Sequence, residues 1–142
     1  MTSRITLDQA NTIIVAAFAK GKELNLKPLS VVVVDAGGHV QAFQRADGAS
    51  SMRLGIALGN AAGALALGVS SRKIGEMAVE RPAFVTALSG IPPHGLVPAA
   101  GGVIVKGSDG FAIGAVGVTG DTSDNDEICT LAGIAAAGLT AA

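Results

Sequence analysis

The alternation of apolar and polar residues predicts two glycine-turned hairpins in this chain. Four β-branched residues, Val31 to Val34, predict a strand buried on both faces, and Ala36 to Gly38 supply the tight turn after it. Alternation in the returning strand predicts an apolar face with Val40, Ala42 and Gln44, and a polar face with His39, Gln41, Phe43 and Arg45. Residues 101–119 predict the second hairpin, with its turn at Gly107 to Gly110.

Helical patterns account for most of the remaining chain. Predicted helices run from about Leu7 to Leu24, Met52 to Leu67, Arg72 to Glu80, Pro82 to Leu88 and Asp124 to Ala137. A capping box between Thr6 and Gln9 opens the first, and Ser50 or Ser51 caps the second. The order helix, hairpin, helices, hairpin, helix predicts one α+β domain over residues 1–142, with an antiparallel sheet flanked by helices.

Composition narrows the classes of partner. Apolar residues make up 49% of the 142 residues and charged residues 15%, with a formal net charge of −1. So few charges predict that part of the surface is buried between the subunits of a homo-oligomer. The near-zero charge and the absence of Trp and Tyr argue against nucleic acid as a partner.

The chain gives no sign of export or membrane insertion. Its opening residues, Met1 to Thr6, lack the apolar run of a signal peptide, and the run from Ile56 to Val69 is short for a membrane span. The single cysteine, Cys129, excludes an internal disulfide and is interpreted as a small buried hydrophobe. We therefore expect a cytoplasmic protein with no membrane partner.

The segment from Ser89 to Ala100 is the strongest candidate for a functional loop. Three prolines and two glycines give it a defined shape without periodic structure, and His94 lies in its middle. An imidazole there can ligate iron or transfer a proton near neutral pH. The other histidine, His39, lies beside the first hairpin turn and is interpreted as exposed and structural.

Glycines in two elements leave two interpretations open. The small residues of the second helix allow either close approach of another backbone or room for a flat ligand. Gly114 and Gly117 point to opposite faces of the last strand, so each leaves space for a helix or for a ligand. The familiar dinucleotide, phosphate-loop, hydrolase and zinc motifs are absent.

Two blocks of sequence resemble one known family. Residues 31–49, VVVVDAGGHVQAFQRADGA, are similar to the signature hairpin of the GlcG/HbpS-like family, which includes the C-terminal domain of PduO-type proteins. Residues 101–120, followed by Asp124 to Glu127, resemble its second block, so the resemblance covers nearly the whole chain. It implies a profilin-like α/β/α sandwich, assembly into a tetramer to octamer, and binding of heme or a corrinoid by accessory proteins of catabolic operons.

A candidate cofactor site follows from the loop histidine and the opposed glycines, and the resemblance adds one position to it. It would involve His94, Asn60, Gly114 and Gly117, with His94 ligating metal only if heme binds. Asn60 departs from the family pattern, in which an Ala-x-x-Lys-Ala motif carries a lysine at this position. The replacement keeps hydrogen-bonding capacity but loses the charge, which implies a different or less acidic ligand.

Three functions remain open from the sequence. The first is a small-ligand-binding accessory protein of a catabolic operon, with heme or another tetrapyrrole as ligand. The second is a cofactor-independent isomerase, hydratase or lyase, in which His94 is the general acid/base and Arg45 or Arg72 orients an anionic group. The third is a structural oligomer with no ligand of its own.

Overall fold

A five-stranded antiparallel sheet forms the centre of the fold. The computed structural model describes residues 3–142. Met1 and Thr2, which belong to the N-terminal segment predicted to lack a signal peptide, lie outside the described residues. The helices are α1 (Leu7–Glu23), α2 (Arg53–Leu67), α3 (Ser71–Glu80), α4 (Pro82–Leu88) and α5 (Ser123–Ala136). The strands are β1 (Ser30–Asp35), β2 (Val40–Arg45), β3 (Gly102–Lys106), β4 (Ala112–Thr119) and β5 (Thr140–Ala141).

Both predicted hairpins lie in this one sheet. The strand order is β2-β1-β4-β3-β5, and the hairpins join where β1 runs antiparallel to β4, from the pair Ser30–Thr119 to the pair Asp35–Gly114. The short β5 was not predicted, because two residues carry no periodic pattern. It extends the sheet beyond β3, where the Ala142 N–H donates to the Ile104 carbonyl at 2.8 Å.

Helices cover both faces of the sheet, so the predicted α/β/α sandwich is confirmed. Alternate valines of β1 point in opposite directions, which makes the strand fully buried as expected. Val31 and Val33 pack in the larger core with α1 and α5. Val32 and Val34 pack in a smaller core with Ala57, Leu58 and Ala61 of α2.

The predicted faces of β2 are wrong at the turn end of the strand. A bulge shifts the register between Val33 and Val34, so that Val34 pairs with Val40 while Val33 pairs with Ala42. The extra residue turns Val40 to the same face as Phe43, because residues paired across strands point the same way. Simple alternation cannot detect a bulge, which the sheet pairing determines.

Helix ends agree with the predicted ends to within one or two residues. The capping box of Thr6 and Gln9 is present at α1. The serine cap expected for α2 is wrong, because Met52 occupies the N-cap position without a side-chain hydrogen bond. Within residues 3–142 no single helix is long and apolar enough to cross a membrane; α2 and α3 meet those criteria only as a pair, bent by 79°.

Candidate ligand site

Helix α2 lies between the sheet and the proline-rich loop, and glycines allow both contacts. A Cβ at Gly102 or Gly117 of the sheet would lie closer than 3.0 Å to a backbone carbonyl of α2. On the other side of the helix, a Cβ at Gly63 would meet Leu96 at 3.1 Å and the Gly95 carbonyl at 3.2 Å. Gly63 of α2 therefore serves close backbone approach, one of the two interpretations left open by the sequence, while Ala62 and Ala66 of the same helix face a cavity described below.

Asn60 connects α2 to the loop. Its side chain is only 2% exposed. With the amide nitrogen turned toward the loop, it donates to the carbonyls of Ala99 at 3.1 Å and Val97 at 3.3 Å. The Val97 N–H in turn donates to the Gly59 carbonyl at 3.2 Å. The buried Asn60 amide thus finds its partners in the backbone of the loop, and the residue does not line the cavity described below.

We expect Asn60→Ala to lower the free energy of unfolding by about 2 kcal/mol, because two loop carbonyls lose the hydrogen bonds from a buried donor. Urea unfolding followed by circular dichroism measures this. Asn11→Ala, at an exposed position of α1, is the matched control and should be neutral or slightly stabilising. Equal effects of the two substitutions would contradict the anchoring role of Asn60.

A proline-directed turn presents His94. Residues 92–95 form a β-turn closed by the Gly95 N–H, which donates to the Pro92 carbonyl at 3.0 Å. Pro93 fits the second position of such a turn because its φ is fixed, and Gly95 follows with a φ of 70°. His94 therefore sits at the third position with an exposed side chain. The prediction of a shaped loop is consistent with this geometry.

Asp35 and His39 form a second local arrangement at the turn of the first hairpin. Asp35 Oδ1 accepts the backbone N–H groups of Gly37 at 2.9 Å and His39 at 3.0 Å. The bond from His39 N–H is the main cause of the lowered pKa of this carboxyl, which is therefore an anion at neutral pH. The same oxygen lies 3.3 Å from His39 Nδ1. A proton on Nδ1 that faces the carboxylate leaves Nε2 free to bind a metal or accept a proton.

The two histidines line one cavity. This histidine compartment, of about 240 Å³, is bounded by the turn Ala36–His39, by Ala62, Leu65 and Ala66 of α2, and by Pro92–His94 of the loop. His39 and His94 are the only histidines in the sequence. Their convergence could not be read from the sequence, since it depends on α2 holding the loop beside the hairpin turn.

An apolar compartment adjoins it. This second cavity, of about 400 Å³, is lined by Leu67 and Leu88 together with Ile91 and Leu96 of the loop. It shares Ala66, Pro92 and Pro93 with the histidine compartment. The two compartments therefore lie side by side against a shared wall, and one is lined by histidines while the other is apolar.

Other candidate residues lie elsewhere. Arg45 ends β2, roughly 17 Å along the strand from Val40 beside the turn. Arg72 of α3 is held by Asp124 and Glu127 of α5. The space beside Gly117 is filled by α2, and that beside Gly114 by the Val34 carbonyl and Ile5. The structure does not bring these four candidates to the cavity.

Residues 3–142 contain no group of three or more His, Cys, Asp or Glu side chains placed to hold a metal ion. The interpretation of Cys129 as a buried hydrophobe is consistent with its complete burial in the larger core. Burial raises the pKa of its thiol to about 11, so it is neither a thiolate ligand nor a nucleophile at neutral pH.

The sheet, its helices and this cavity define an α+β sandwich with a candidate small-ligand site. The family model described as "Haem degrading protein HbpS-like" matches residues 5–135, and the chain belongs to this HbpS-like family. The resemblance inferred from the two sequence blocks is confirmed. None of the curated proteins matches the sequence significantly.

Solved structures share the fold over nearly the whole chain. The ORFY protein of Klebsiella pneumoniae is 27% identical, with a TM-score of 0.85 over 97% of this chain and 93% of that chain. A double mutant of HbpS from Streptomyces reticuli is 26% identical, with a TM-score of 0.80 over 95% and 88%. A heme complex of PduOC has a TM-score of 0.83 over 96% and 97%, but its 21% identity shows the fold alone.

Proposed function

We propose that this protein binds a small ligand in the two-compartment cavity, as a cytoplasmic, homo-oligomeric accessory protein of a catabolic operon. Heme or another tetrapyrrole is the candidate ligand. The observation that carries the proposal is the convergence of His39 and His94 on one cavity with an apolar extension. The HbpS-like family and the heme complex of PduOC support the choice of ligand.

The residues at the cavity fit a heme in two respects. The imidazole of His94 or His39 would bind the iron, and the carboxylate of Asp35 would orient His39 as outer carboxylates orient metal-binding histidines. The apolar compartment offers a wall for a flat macrocycle, which would extend across both compartments. A bound heme would supply a redox-active iron, while these residues hold the ring and limit access of water to one face.

Hemin titration tests the proposal. We expect a Soret shift on adding hemin to the wild-type protein, with affinity lowered by about tenfold or more in His94→Ala, because an axial ligand is lost. His39→Ala should weaken binding or change the spectrum. Gln44→Ala, at an exposed position of β2, is the control and should bind like the wild type. An unshifted spectrum, or one unchanged in the His39→Ala, His94→Ala double variant, would refute histidine-ligated heme.

A second candidate function is favoured by the contact between Asp35 and His39. A carboxylate that orients an imidazole is a common arrangement for a general base, and His94 across the cavity would act as the acid. These residues would suit a cofactor-independent isomerase, hydratase or lyase. The enzyme hypothesis requires no Soret shift, so the hemin titration separates it from the first proposal.

A further inference from the structure

The shape of the cavity restricts its ligand to a molecule with unlike ends. One end meets Leu67, Leu88 and Leu96, which offer no hydrogen bonds from their side chains. The other end meets two imidazoles, each able to donate or accept one hydrogen bond when neutral. The compartments measure about 240 and 400 Å³, so a ligand of one or two rings fits in the apolar one with a polar group toward the histidines, without having to fill both.

The charges around the cavity disfavour an anion. Neither compartment has a lysine or arginine in its lining, as far as residues 3–142 are concerned. The carboxylate of Asp35 lies against His39, and it is ionised at neutral pH. The C-terminal end of α2, at Ala66 and Leu67, also faces the site, and no basic residue lies in its last turn. That end of a helix carries partial negative charge.

From these features we infer that the site selects uncharged amphipathic ligands, aromatic or alicyclic, with one hydroxyl or carbonyl group held between His39 and His94. This inference rests on the proposal that the cavity binds a small ligand. An anionic group at the histidine end would lie near the Asp35 carboxylate and meet no lysine or arginine, whereas a hydroxyl finds an imidazole partner. A heme would enter by its uncharged edge, with its propionates left in solvent.

A matched pair of probes tests this selectivity. The probes are 2-naphthol, which is neutral at pH 7.5, and 2-naphthoate, which has the same ring system and a negative charge. The chain has no Trp and no Tyr, so naphthalene fluorescence is read with little protein background. We expect 2-naphthol to bind about tenfold tighter than 2-naphthoate, because burial of an unpaired charge is unfavourable.

A charge placed at the shared wall should change the preference. Ala66 is exposed and lines both compartments, so Ala66→Arg adds a cation there without disturbing the core. We expect this variant to bind 2-naphthoate at least as tightly as 2-naphthol. Ala19→Arg, at an exposed position of α1 outside both compartments, is the control and should keep the wild-type preference.

Three results would overturn the inference: equal or tighter binding of 2-naphthoate by the wild type, no saturable binding of either probe, or an unchanged preference in Ala66→Arg. The hemin titration is read separately. Selective binding of 2-naphthol without a Soret shift would refute heme as the ligand and leave the inferred ligand class intact. A Soret shift with no preference between the probes would refute the ligand class and leave heme binding intact.

Discussion

Gly117→Ala is expected to lower the free energy of unfolding by about 3 kcal/mol, because the added methyl group would overlap the backbone of α2. Gly117 is buried in the middle of β4, and α2 crosses directly over it. An added Cβ would overlap the Ala57 carbonyl and lie 3.2 Å from the Ala61 side chain. Both obstacles belong to the helix that also supports the loop of His94, so relief of the overlap would displace the site as well.

Gly55→Ala is the matched control within α2 itself. No atom lies within 4 Å of a Cβ built at Gly55, and the residue is exposed. Alanine there should stabilise the protein by about 0.5–1 kcal/mol, because glycine is the poorer helix former. Circular dichroism during urea unfolding measures both changes, since the chain lacks Trp and Tyr. A loss of less than about 0.5 kcal/mol in Gly117→Ala would show that α2 is not pressed on the sheet as described.

Local patterns were sufficient to predict most of the fold. The valine run of β1, the glycine turns and the apolar stripe of α1 act within one element, so each could be interpreted without knowledge of its neighbours. The bulge at Val33 and Val34 and the short β5 escaped prediction because strand pairing alone produces them. The two interpretations of the glycines could be separated only when the helix and the sheet were seen together.

The candidate site was predictable only in part. The prolines around His94 marked the loop, because they indicate a defined conformation in a segment with no periodic structure. His39 is exposed, as the sequence predicted, but a histidine beside an exposed turn gives no signal that a second histidine 55 residues away lines the same cavity. Its spacing from Asp35, four residues across a turn, is a signal that could have been used: the carboxylate and the imidazole meet at 3.3 Å. Arg45, the cation predicted to orient a ligand, lies at the end of β2 that is far from the hairpin turn and the cavity.

Helix α2 lies between the sheet and the proline-rich loop and contacts both of them closely. On one side it packs on Gly102 and Gly117 of the sheet, and on the other it holds the loop through Gly63 and Asn60. The sheet contacts are between backbones, and the loop is held by the close approach at Gly63 together with the buried Asn60 side chain, so the loop is fixed relative to the sheet through α2. His94 is thereby placed opposite His39. Asn60, buried at the contact between α2 and the loop, hydrogen-bonds the loop backbone and does not line the cavity.

The free energy of unfolding should fall as the pH rises from about 4 to about 6, because Asp126 titrates at a higher pH in the folded protein than in the unfolded chain. Its side chain is only 4% exposed, and burial is the main cause that raises its pKa from 3.8 to about 6. The nearby Asp121 carboxylate raises the pKa further. Two influences lower it: hydrogen bonds from backbone N–H groups, including that of Asp121 at 3.0 Å, and the charge of the Arg53 guanidinium. Between the two pKa values the unfolded chain ionises while the folded one stays protonated, so unfolding is favoured as the pH rises.

Asp126→Asn should remove this slope. The wild type should lose at most about 3 kcal/mol of stability across this range, and the variant should show a flat profile because residue 126 no longer titrates. Asp121 does not interfere, since the hydrogen bond from Asn125 lowers its pKa to about 2 and its own contribution is lost only below pH 4. Asp47→Asn, at an exposed position with the same charge change, should keep the wild-type profile. Urea unfolding by circular dichroism between pH 4 and 8 gives the curves, and a slope that survives in Asp126→Asn would assign the titration to another group.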